Sequence, residues 1–528
     1  MQQDPAEPPV GHIVVVGGGA AGWMTALLLS SSKFGARLKV TVLESPTADV
    51  VGAGEGSTPW LRGFFDSLGI DESEWMPACN ATYKIGTAFE GWSTRPGHER
   101  WFHSFPSMLD DLTMPQFLRN VHARLTGADV HAHPDRFFMS QRVAAEARAP
   151  RPAHEFPFDI GYGYHVDAAL LAAFLQAKAL QRGVVRMVRH MTSATLFERG
   201  DIHALEFDGG DKLAAEFFVD CSGFASMLIG QMLDTPYVSF ADRLFNDSAI
   251  AMPTPNDDGP LMSQTVSTTL KHGWAWRFPL TSRNDNGYVY SSAHVSADAA
   301  EAELRTHLGL LDADVPARHL KMRVGRHAKH WNRNCVAIGP AQGFIEPLEA
   351  TALLFVQRAA SSLVDVLERG DLGEAARAAF NDGLNARVDG VRDYIVTHYK
   401  SNTRTDTDYW RANAANDALS EPLQRLLRTW LASQPIEPGI EEGAFGAGYD
   451  TLSWYCLLAG VGLFPEVRQP GARGVGSDLA GIDNLIERST PNFPDHRTWL
   501  RDIPPHAERI DLRRRPADAG RRATLGAL

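Results

Sequence analysis

Four short segments of this 528-residue chain carry residue types that can do chemistry together. Gly17-Gly18-Gly19-Ala20-Ala21-Gly22 places glycine at the first, third and sixth positions of a turn. In that spacing Gly17 makes the bend, Gly19 lets the backbone approach a pyrophosphate, and Gly22 lets helix and strand pack closely. Lys84, closing Asn80-Ala81-Thr82-Tyr83-Lys84, is an isolated cation. Glu346 and Glu349 flank a Pro-Leu pair in Glu346-Pro347-Leu348-Glu349-Ala350-Thr351. Burial would lower the proton affinity of such an amine, and a nearby carboxylate would raise it, so the two together can form an acid–base site. Trp274-Ala275-Trp276-Arg277-Phe278-Pro279 adds two tryptophans on one face of a strand. Each segment also has a plain reading: a solvated strand-edge lysine, carboxylates capping a first helical turn, tryptophans packing across strands.

The elements around these residues follow from hydrophobic periodicity. Residues 12–16 read as a buried parallel strand, 20–30 as a helix and 38–43 as the next strand, a βαβ unit with Glu44 placed to accept from ribose hydroxyls. Residues 217–223 and 334–339 each read as a strand running into a glycine turn. The Asp220-Cys221-Ser222-Gly223 turn and Gly339-Pro340 resemble the elements with which FAD-dependent monooxygenases close over their cofactor, which favours FAD over a nicotinamide. There is no second GxGxxG and so no separate nicotinamide domain. Residues 81–92 look strand-like, 167–181 helical, and 353–369, 384–398 and 404–430 helical again. Residues 435–448 read as a loop before the apolar stretch 454–464, and from about 504 the chain turns polar and arginine-rich.

Composition narrows the partners. A net charge of −12 disfavours a nucleic-acid backbone, which needs a basic face. With 44% hydrophobic residues the chain can bury a large domain and a second unit. Four cysteines, Cys79, Cys221, Cys335 and Cys456, have neither disulfide-framework nor zinc spacing, so no metal is expected and a reducing cytoplasm fits. The apolar run 13–29 is broken by glycines, and the residues before it carry no Lys or Arg, so neither a bilayer span nor a secretory signal is expected.

Taken together, the segments resemble the flavin-dependent tryptophan halogenase family. The match also takes in Gly54-Glu55-Gly56-Ser57-Thr58-Pro59, Asp406 to Arg411 and Tyr455 to Gly462, so it spans nearly the whole chain. The resemblance implies an α/β flavin-monooxygenase-like fold: a Rossmann-type FAD-binding domain with an additional β-sheet, joined to a mainly α-helical substrate domain. On this reading residues 1–380 form the FAD-binding part, 381–505 the helical substrate-covering part and 506–528 a basic tail, in a monomer or homodimer.

Carried onto matching positions, Lys84 is the catalytic lysine and Glu349 the acid that assists substitution on the arene. Gly17, Gly19, Ala20, Ala21, Gly22, Glu44 and Gly339 hold FAD, and the amides of Thr351 and Ala352 hold chloride or bromide. His103 and Phe105 sandwich the aromatic substrate, and Trp274, Trp276 and Pro279 belong to the signature. The implied reaction uses reduced FAD, supplied by a separate flavin reductase, and O2 to make hypohalous acid, which Lys84 delivers to an electron-rich ring. The alternatives are a flavin-dependent aromatic hydroxylase, against which Lys84 with the paired tryptophans argues, and a catalytically silent flavoprotein.

Two departures from the family pattern bear on function. Ala350-Thr351-Ala352 stands where the family carries Ser-Thr-Gly, and alanine restricts φ where glycine would be free, which leaves halide preference open. Residues 439–454, GIEEGAFGAGYDTLSW, lack the paired tyrosine and Glu-Phe segment that grips the ammonium and carboxylate of free tryptophan. Burying a zwitterion without partners costs several kcal/mol, so indole or another aromatic without those groups is the expected substrate.

Overall fold

The computed structural model describes residues 9–47, 54–105, 107–152, 156, 158, 160–442, 448–468 and 479–503. Eight strands of its first part set the frame: β1 (His12–Val16), β2 (Lys39–Glu44), β3 (Gly54–Gly56), β4 (Thr82–Lys84), β5 (Gly86–Glu90), β6 (Arg100–Ser104), β7 (Gly163–Asp167) and β8 (Val185–Val188).

Apolar, β-branched β1 is buried on both faces, as the centre of a parallel sheet requires. It lies between β2 and the strand Phe217–Asp220 in a six-stranded sheet that continues to β8 on one side and to Cys335–Ala337 and Trp331–Asn332 on the other. The helices Ala20–Ser31, Ala168–Gln181 and Ala352–Arg369 pack together beside it. A second sheet of seven strands runs from Arg318–Lys321 through Ser248–Ala251, Asn284–Tyr290, the signature strand Gly273–Pro279 and Thr265–Leu270 to β5 and β6. A three-stranded sheet, β3-β7-β4, also carries Lys84.

Residues 81–92, expected as one strand, are two. β4 pairs with β7 and β5 with β6 and Thr265–Leu270, with Ile85 between them donating its N–H to Ser263. The expected helical run 404–430 is likewise broken, into Asp408–Ala415 and Glu421–Leu431, each started by a hydroxyl cap, Thr407 and Ser420. Within the expected loop 435–448 lies a short helix, Glu437–Glu442, while 443–447 fall outside the described residues, as does the basic tail 506–528.

The long helix Glu374–Lys400 runs unbroken through residues 380 and 381, so the passage from sheets to helices is carried inside one element rather than a linker. The hydrophobic clusters cross it too: Phe493 and Ile503 are buried with β1 and the first helix, and Trp454 and Trp430 with Phe89 and Trp274. Among the described residues one segment, Leu348–Arg369, is long and apolar enough to cross a bilayer by length and composition, and 67% of its most apolar window is buried inside the fold.

Candidate active site

The glycine turn fits a dinucleotide. Gly17 adopts φ +120°, a conformation side chains rarely take, and a Cβ at Gly22 would stand 1.8 Å from the Gly17 carbonyl, so the helix meets the turn closer than any side chain allows. At Gly19 a Cβ would find nothing within 4 Å, leaving that side of the turn open. The helix Ala20–Ser31 starts there with no side-chain cap and no acid in its first turn, so its free N–H groups and positive dipole end point at a place an anion would fill. Ala21 packs beneath Gly339, which sits at φ +73°. Glu44 lies against Gly18, its carboxylate taking Trp23 Nε1 at 3.0 Å and Arg186 Nε at 2.6 Å. These residues fit a bound FAD pyrophosphate and ribose.

Lys84, expected on plain grounds to be solvated, is completely buried. Its Nζ has no hydrogen-bond partner among the described residues and stands 5.1 Å from the centre of the Phe105 ring. Burial lowers its pKa from 10.5 to about 8, against the pull of the Glu349 charge. The rest of β4 is anchored: Thr82 Oγ1 donates to the Pro279 carbonyl at 2.5 Å, Tyr83 Oη to Glu72 at 2.8 Å, and Tyr83 N–H to His496 Nε2 at 3.1 Å. Strand geometry thus fixes the lysine stem while the amine stays free.

Glu349 is not a helix cap. It and Ala350 adopt left-handed conformations, φ 65° and 59°, in a tight turn, and the helix Ala352–Arg369 begins at Thr351. The φ constraint expected at Ala352 therefore falls two residues earlier, and Ala352 is simply the first helical residue. Burial opposes ionisation of Glu349, but His103 and His398 outweigh it and hold the carboxyl well below the usual range. His103 Nδ1 lies 2.7 Å from Glu349 Oε1 and His398 Nε2 3.4 Å from the same oxygen. The other His103 nitrogen meets Ser453 Oγ at 3.0 Å, so this ring, expected as a free aromatic wall, is tied at both ends.

Thr351 is fully buried, its hydroxyl without a partner among the described residues, at a helix start that has no side-chain cap and no acid in its first turn. An anion would satisfy such amides. Five residues before Thr351, Glu346 makes a separate cluster, accepting from Tyr399 Oη and from Asn246 Nδ2 at 2.8 Å, and burial pushes its carboxyl up to about 7. The adjacent His398 and Tyr399 of one helix thereby hold the two glutamates of the Glu-Pro-Leu-Glu segment.

Trp274 and Trp276 are buried on the signature strand with ring centres 6.4 Å apart, and Phe278 stacks on His165 at 5.6 Å. Sequence reasoning missed His398, His165, Ser453 and the stacked pair Tyr394–Tyr449, 3.7 Å apart beside His103. These sit in elements whose patterns look like ordinary core, and only the tertiary fold brings His398, Ser453 and the tyrosine pair to the Glu349–His103 cluster and His165 beside Lys84. Among the described residues no group of three or more His, Cys, Asp or Glu is arranged to hold a metal ion.

The tryptophan halogenase family model matches residues 12–477. The chain is 37% identical over 476 residues to tryptophan 6-halogenase SttH of Streptomyces toxytricini, covering 85% of this chain and 89% of the relative. It is 32% identical over 502 residues to tryptophan 7-halogenase RebH of Lentzea aerocolonigenes, covering 90% and 94%. Among solved structures, BrvH, a flavin-dependent halogenase from Brevundimonas sp. BAL3, superposes with TM-score 0.79 at 31% identity over 94% of this chain and 99% of that one. The chain therefore belongs to the flavin-dependent tryptophan halogenase family, with its Rossmann-type FAD-binding α/β fold and substrate-binding region, and is an FADH2-dependent aromatic halogenase, an oxidoreductase.

Proposed function

We propose that this enzyme halogenates an electron-rich ring, indole or an indole derivative without free ammonium and carboxylate groups, by way of Lys84. The observation that carries the reading is the Lys84 amine: wholly buried, unpartnered among the described residues, lowered to about 8 and within the field of an ionised Glu349. When bound, FAD reduced by a separate reductase supplies, with O2, the two-electron oxidation that turns chloride or bromide into hypohalous acid.

The amides of Thr351 and Ala352 hold the halide at their helix N-terminus. The neutral Lys84 amine takes the halogen from hypohalous acid: the N–halogen bond forms, the O–halogen bond breaks, and the hydroxide leaves as water with an amine proton. The ring carbon then takes the halogen, and Glu349 accepts the ring proton and returns it to the lysine nitrogen. His103 orients Glu349, Phe105 walls the amine, and the tryptophan pair closes the signature strand.

The substrate class follows from groups already spent. Asp450 accepts from the Ser453 N–H as a helix cap, Ser453 Oγ is taken by His103, and Tyr394 Oη donates to the Ser453 carbonyl. Among these groups only the second Asp450 oxygen is left to meet an ammonium, and none to meet a carboxylate, whose burial without partners costs several kcal/mol. Tyr449 Oη is buried without a partner among the described residues and suits one indole N–H. The test is mass spectrometry of products made with FAD, a reductase, NADH, O2 and either halide. A halogen adduct on indole and none on tryptophan is expected. A hydroxylated ring, or tryptophan as the better substrate, overturns the reading.

A further inference from the structure

One titratable side chain stands between the Glu349 turn and the Lys84 amine and has no part in the chemistry above: His165. Its place follows from strand register. β7 runs antiparallel to β4 with His165 opposite Thr82 and Gly163 opposite Lys84. Residues directly opposite share a face, and so do Thr82 and Lys84, two apart on one strand. His165 is thus the diagonal neighbour of Lys84. Gly163 carries no side chain opposite Lys84, and the place a Cβ would take there is filled by the backbone of Ser57 and Thr58, 2.6 Å from the Ser57 carbonyl oxygen. On the other side of His165 stands Gly56 of β3, whose Cβ position is 3.2 Å from Ala350 Cβ. Ala350 adjoins both Glu349 and Thr351, so the row Ala350, Gly56, His165, Lys84 runs from the halide turn to the amine.

The hydrogen bonds fix the proton on this ring. Thr82 Oγ1 donates its only proton to the Pro279 carbonyl, which can only accept. At the 3.1 Å contact with Thr82 Oγ1, His165 Nδ1 must therefore be the donor, and Nε2 then accepts from Thr265 Oγ1 at 2.9 Å. Burial holds the imidazole neutral, and a charge on Lys84 acts in the same direction. Phe278 of the signature stacks on the ring with planes 24° apart.

We propose that His165 is a positioning residue: it fastens the Lys84 strand to the signature strand and keeps the wall between the halide turn and Lys84 uncharged, so that hypohalous acid reaches the amine rather than solvent. The inference rests on the Lys84 reading above, and no bond is made or broken at His165. The test uses full-length enzyme with FAD and a reductase, measuring halogenated indole and halogen captured by an added β-diketone, both per flavin oxidised.

His165→Phe keeps the stack on Phe278 and removes both hydrogen bonds. Product per flavin falls on the order of ten-fold, about the worth of a net hydrogen bond or two, and captured halogen rises. His165→Asn restores a donor towards Thr82 and recovers most of the product. Thr82→Val, which cuts this link and the one to the Pro279 carbonyl without touching the ring, shifts halogen to the trap in the same way. A wild-type partition in both His165→Phe and Thr82→Val, or an Asn variant as poor as Phe, overturns the proposal. Lys84→Ala separates the two readings: retained product overturns the Lys84 reading itself, whereas lost product alongside a wild-type partition in His165→Phe overturns this inference alone.

Discussion

A lysine amine sealed from water pays for its position in stability, and the sign of that cost can be read with pH. Lys84 titrates near 8 in the fold against 10.5 for the free group. Below pH 8 both folded and unfolded chains carry the charge and the fold bears the whole penalty, about 3 kcal/mol for a shift of this size. Between pH 8 and 10.5 the folded state has lost a proton that the unfolded state keeps, so stability rises with pH. Lys84→Met should therefore raise the melting temperature at pH 7, and the gain should shrink as pH approaches 10, as differential scanning fluorimetry across that range would show. A gain that does not change with pH would mean that Lys84 is not desolvated. Lys84 was found in the sequence through its resemblance to a family motif, because a lone lysine near a strand end carries no sign of burial. His165 and His398 carried no signal at all, since their partners lie far away in the chain.

At the scale of elements, the βαβ unit was plain because its demands are local: an apolar strand, glycines at a fixed spacing, then a helix. Gly22→Val tests that demand, since any Cβ meets the Gly17 carbonyl. The variant should lose FAD affinity at least ten-fold by fluorescence titration, in keeping with a steric cost above about 1.4 kcal/mol, and unchanged affinity would remove Gly22 from the cofactor turn. The break between β4 and β5 was hidden because residues 81–92 read as one continuous strand and change partners only in three dimensions. The left-handed turn at Glu349 was hidden for a related reason: neither Glu349 nor Ala350 is a residue whose type announces positive φ.

For the molecule as a whole, the interleaving of sheet and helix regions could not be read from periodicity, which marks apolar faces without saying which faces meet. The chain after residue 480 returns to the first core, and the helices after 400 share a cluster with the seven-stranded sheet. The four cysteines report on this, being buried in different clusters: Cys79 and Cys221 in one, Cys335 in another and Cys456 in a third. Burial raises the thiol of Cys79 to about 12 and pushes up the other three as well. An aromatic disulfide reagent at pH 8 should find no fast thiol in the native protein and all four in one concerted phase across the denaturant transition. Separate phases would show that the clusters open independently.

The most direct measurement is the ratio of halogenated indole to flavin oxidised in Lys84→Ala beside the wild type, with bromide and chloride in parallel. Delivery through Lys84 requires the ratio to fall at least a hundred-fold, a loss of about 2.7 kcal/mol or more of transition-state stabilisation, while flavin oxidation continues at its usual rate. A Lys84→Ala enzyme that still halogenates indole at near wild-type yield would contradict delivery through this amine.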